Sequence, residues 1–98
     1  GLFGQLVMQY CLDSPAVYVS GWFDREYAMY NMQGISVDDP EAALGADFDV
    51  MVIAILNTTI AGQVRDWYVH LDMEAERIDC VSLDVLERSG LPFGMERG

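Results

Sequence analysis

An α/β domain with helices flanking a parallel sheet is the fold class that this sequence predicts. Three observations carry the prediction. Helix-type and strand-type apolar patterns alternate along the chain, as they do where crossover helices join parallel strands. The run Phe48–Leu56, "FDVMVIAIL", is apolar at nearly every position rather than at every second one, the pattern of a strand covered on both faces. The chain has 98 residues and is 52% hydrophobic, which suits one small domain with a single core.

The elements follow in order. Phe3, Leu6, Val7, Tyr10 and Cys11 mark one face of a first helix. Pro15 ends it, because proline biases its predecessor away from helical geometry. Ala16–Phe23, "AVYVSGWF", is rich in β-branched and aromatic residues and reads as a strand. Residues 24–33 read as an irregular connection, and Gly34–Val37 as a short strand. Asp38-Asp39-Pro40-Glu41 opens a short helix, with Asp39 as cap and proline in the first turn. Phe48–Leu56 is the strongest strand. Asn57-Thr58-Thr59 caps the next helix, whose buried stripe is expected at Ile60, Val64, Trp67, Tyr68 and Leu71. Arg77–Val81 reads as a last strand. Residues 1–82 then form the domain. Residues 83–98 form a short helical piece over Leu83–Arg88 and a Gly-rich, flexible tail.

Charge narrows the function. Sixteen acids face five arginines and no lysine, for a formal charge of −11. Such a surface repels a phosphate backbone and an anionic membrane, so no nucleic-acid partner is expected. A phosphorylated ligand would have to be held largely by backbone N–H groups. The longest strictly apolar run, Val50–Leu56, has seven residues, against about 20 for a bilayer span, so no membrane insertion is expected. The start lacks the basic residues of a signal peptide, and Gln5 and Gln9 interrupt its apolar stretch. Cys11 and Cys80 fit no metal spacing. They are expected to be reduced core cysteines of a cytoplasmic protein.

The opening "GLFG" places Gly1 and Gly4 at the mouth of the first helix. A dinucleotide-binding turn has the form G-x-G-x-x-G between a strand and a helix. Gly1 and Gly4 match its second and third glycines, and helix N-terminal N–H groups suit a phosphate. The same fingerprint expects an acid about 20 residues on, ending the second strand and binding ribose hydroxyls. Asp24 lies 20 residues after Gly4, at the end of the expected strand. The other reading of Asp24 is a strand end meeting water. Arg25 either forms an outward salt bridge or meets a ribose phosphate.

"GLFGQLVMQY", "YVSGWFDREY", "GISVDDPEAA" and "FDVMVIAILNTTIAGQVRDWYVHLDMEAERI" together resemble the Rossmann-like nucleotide-binding domains of bacterial surface-polysaccharide proteins. Such domains are appended to glycosyltransferases, and similar ones open nucleotide-sugar dehydratases and sugar acyltransferases. The resemblance covers residues 1 to about 82. It implies a Rossmann-like parallel sheet with flanking helices, its first strand absent. It implies a phosphate turn at Gly1 and Gly4, a ribose contact at Asp24, and Asn57 at the carboxyl edge of the sheet. Asn57 reads equally as a helix N-cap. The family's first strand, first glycine and downstream hexapeptide repeats are missing, so the chain is expected to be an N-terminally truncated piece of a longer protein.

What the resemblance implies for function is a binding module for a nucleotide, nucleotide-sugar or dinucleotide in polysaccharide biosynthesis. The ligand is left open between NAD(P) and a nucleotide-sugar. Alternatives are the NAD(P)-binding part of an oxidoreductase or dehydratase, and a ligand-free docking domain for a fused or associated glycosyltransferase. No nucleophile or acid–base pair stands out, so catalysis by this segment alone is not expected. Among the remaining residues, His70 reads as a helix-surface histidine without metal partners. No serine sits in a nucleophile-elbow sequence. A phospho-receiver would want a lysine. Tyr27 and Tyr30 read as loop packing, with base stacking as the other option. Met29, Met32 and Met51 read as core or filler. A sheet without its first strand would expose edges and favour homo-oligomers or instability.

Overall fold

The computed structural model describes residues 2–81. The chain forms two compact units, one of residues 1–18 and 49–98 and one of residues 19–48. Gly1, the expected helix at Leu83–Arg88 and the tail lie outside the described residues.

The first unit mixes helix and parallel strand. Helix α1, Leu2–Asp13, buries Val7 and Cys11, two residues one turn apart. Near its end the Gln9 amide donates to Asp13 Oδ1 at 2.9 Å. Ser14 N–H donates to the Cys11 carbonyl at 3.2 Å as the chain leaves the helix, and Pro15 follows. Strand β1, Met51–Ile53, pairs in parallel with β2, Ile78–Cys80, matching Met51 with Ile78, Val52 with Asp79 and Ile53 with Cys80. Between them runs helix α3, Thr58–His70, the crossover that a parallel pair requires. Asp72, at φ 73°, takes the left-handed turn that stops α3, a conformation aspartate tolerates better than most residues. A short 3₁₀ turn, Ala75–Arg77, leads into β2.

The second unit is held differently. Its only ladder contact is a parallel bridge between Phe23 and Asp38. Asp24 N–H donates to the Asp38 carbonyl at 3.0 Å, and Asp38 N–H to the Trp22 carbonyl at 2.9 Å. Between the bridged residues lies helix α2, Tyr27–Met32. It delivers Asn31, whose amide grips Val37 on both sides: Nδ2 donates to the Val37 carbonyl at 3.0 Å and Oδ1 accepts from Val37 N–H at 3.1 Å. Val37 is 1% exposed, the most enclosed large side chain among the described residues. Gly34, at φ 81°, makes the left-handed turn after α2. Asp39 caps the 3₁₀ turn Pro40–Gly45, its side chain accepting from Glu41 N–H at 2.9 Å.

Several expectations are corrected. Ala16–Phe23 is not a strand beyond the single bridge at Phe23, because one bridged residue supplies all the pairing it has. Residues 24–33 are not an irregular connection: "YAMYNM" forms α2, whose alanine and methionines are good helix formers. The long apolar run gives a strand of only Met51–Ile53. Ile53 alone is buried there, because β1 has one strand neighbour among the described residues. The buried face of α3 is Ala61 and Tyr68, while Ile60, Trp67 and Leu71 are exposed. Tyr68 is buried as expected, and Ala61 is buried in place of its neighbour Ile60. Cys11 is buried, but Cys80 is exposed at the end of β2 and is not a core residue. Both thiols are free.

Candidate functional site

The carboxyl end of β1 is where helix ends and strand end meet. Past Ile53 the chain runs through Ala54–Leu56 to Asn57, the N-cap of α3. Asn57 Oδ1 accepts from Ile60 N–H at 3.1 Å. This satisfies one of the donors that a helix start leaves unpaired and fixes where α3 begins. The first turn of α1 lies against the same stretch. A methyl group on Gly4 would stand 3.8 Å from the Ala54 carbonyl oxygen, an ordinary van der Waals distance. The helix therefore approaches the strand end closely, yet leaves room for an alanine. The third glycine of a dinucleotide-binding turn lets its helix pack closely on the strand, and at Gly4 that is not a steric necessity.

Asp24 belongs to the 19–48 unit and has a local task. Its Oδ1 accepts from Glu26 N–H at 2.8 Å, and its carbonyl accepts from Tyr27 N–H at 3.1 Å. This is an Asx turn, which folds the chain from the bridge into α2. Arg25 and Glu26 form that turn and are exposed. The carboxylate after the aromatic run thus has a structural reason to be there. Tyr30 is buried, its ring centroid 5.3 Å from that of Trp22 at an interplanar angle of 44°. That is intramolecular packing rather than a face offered to a base. Tyr27 is partly exposed.

Charged groups gather on α3 and β2. Arg65 approaches Asp66 at 3.8 Å, an exposed pair of small energetic weight. Burial pushes the Asp79 carboxyl up from the ordinary aspartate value, and the Arg65 charge opposes it. Burial also pushes the Cys80 thiol up, with Arg65 again opposing and Asp79 and Asp66 adding to the rise. Cys80 Sγ lies 3.9 Å from the Ala61 carbonyl, so strand and helix meet at this residue although much of it is open. Cys11 is raised by burial alone. Neither thiol is activated toward nucleophilic chemistry, which needs a depressed value. Among the described residues no group of three or more His, Cys, Asp or Glu side chains could hold a metal ion. No helix there is long and apolar enough to cross a membrane.

No protein-family model, curated protein or solved structure matches the chain. Of the expected site residues, Gly4 and Asn57 come to one strand end in the first unit. Asp24 stands in the second unit, and Gly1 is outside the described residues. Two residues escaped the sequence reading. Asn31 sat in an apparent connection, and only a helix ahead of Gly34 would have signalled its clamp. Arg65 was hidden in the polar side of α3, and its influence on Asp79 and Cys80 depends on the strand register.

Proposed function

We propose that this chain is a binding module for a nucleotide, nucleotide-sugar or dinucleotide, built on a Rossmann-like plan and performing no chemistry of its own. One observation carries the reading: the starts of α1 and α3 both meet the Ala54–Asn57 stretch at the carboxyl end of a parallel strand. Parallel α/β sheets bind ligands outside the carboxyl ends of their strands, and helix starts there supply N–H donors for phosphate. In an acidic, lysine-free chain such neutral donors are the natural phosphate ligands. Asp24, in the unit of residues 19–48, is proposed separately as a contact for ribose hydroxyls, on its sequence spacing from Gly4. NAD(P) and nucleotide-sugars are the ligand classes, and bacterial polysaccharide biosynthesis with an associated glycosyltransferase is the setting that the resemblance supports.

Nuclear magnetic resonance titration of the full chain with UDP-sugars, NAD and NADP tests this. Amide shifts at the first turn of α1 and at Thr58–Ile60 are expected. Shifts scattered over the surface, or none at millimolar ligand, would refute the phosphate assignment. A ligand-free docking domain is the second reading, and a specific observation favours it. The side-chain oxygens that would meet a ligand, Asp24 Oδ1 and Asn57 Oδ1, already accept backbone N–H groups of their own turns.

A further inference from the structure

We draw no further inference here: the strongest candidate, the half-exposed apolar stripe of Ile60, Val64 and Trp67 along α3, carries none because nothing in the structure shows what covers it.

Discussion

The unit around β1, β2 and α3 and the unit of residues 19–48 solve the same problem with different chemistry. The first satisfies its backbone with a three-pair parallel ladder and a 13-residue helix, and buries Ile53, Ala61, Tyr68 and Ile78. The second has one bridge and a six-residue helix. Polar side chains hold it by gripping the main chain: Asn31 on Val37, Asp24 on Glu26, and Asp39 on Glu41. Apolar burial is spread over many contacts, so the first unit should lose stability by degrees as side chains shrink. A clamp such as Asn31 concentrates the dependence of its unit on one residue.

Substitutions can break that contrast, and the largest effect is expected in the apolar unit. Ile53→Ala removes a buried strand side chain and should cost about 2–5 kcal/mol, measured by denaturant unfolding. Asn31→Ala deprives both backbone groups of Val37 of their partner and should cost about 1–3 kcal/mol. Amide exchange should accelerate at Val37 and across α2 before it changes in β1 and β2. Equal acceleration in both units would show that they unfold together. Asn57→Ala deletes the cap of α3 for about 1 kcal/mol, with exchange rising first at Ile60. Gly4→Ala gives the smallest effect and the opposite sign. The added methyl has room at 3.8 Å from Ala54, and alanine is the better helix former, so stability should rise by about 0.5–1 kcal/mol. A loss there would mean that α1 packs more tightly on the strand end than that distance allows.

Legibility in the sequence followed the same division. Val7 and Cys11 on α1, the cap at Asn57 and the position of β2 were readable because helix periodicity and capping chemistry are local. On α3 the burial of Tyr68 is legible, but that of Ala61 is not, because Ile60 and Ala61 are neighbours in an apolar stretch. Periodicity alone does not choose between adjacent stripes. Ala16–Phe23 has strand-forming residues but lacks a ladder, and pairing is a property of neighbours rather than of propensity. Helix α2 was missed because its start is set by the Asx turn at Asp24, a signal that a strand-ending acid resembles. Of the site, Asn57 was legible as a cap and Asp24 as the end of the aromatic run. The turn made by Asp24 was visible only with the hydrogen bond to Glu26 in place.

Calorimetric titration of the intact chain with UDP-sugars, NAD and NADP, repeated with Asp24→Asn, tests the central claim most directly. Asparagine still offers an oxygen to Glu26 N–H, so the turn and the stability should survive while the carboxylate is lost. The account predicts that at least one ligand binds more tightly than about 1 mM, a free energy beyond about −4 kcal/mol, and that Asp24→Asn weakens it about 10-fold. No binding by any of the three at millimolar concentration would contradict it and leave a docking domain without a nucleotide.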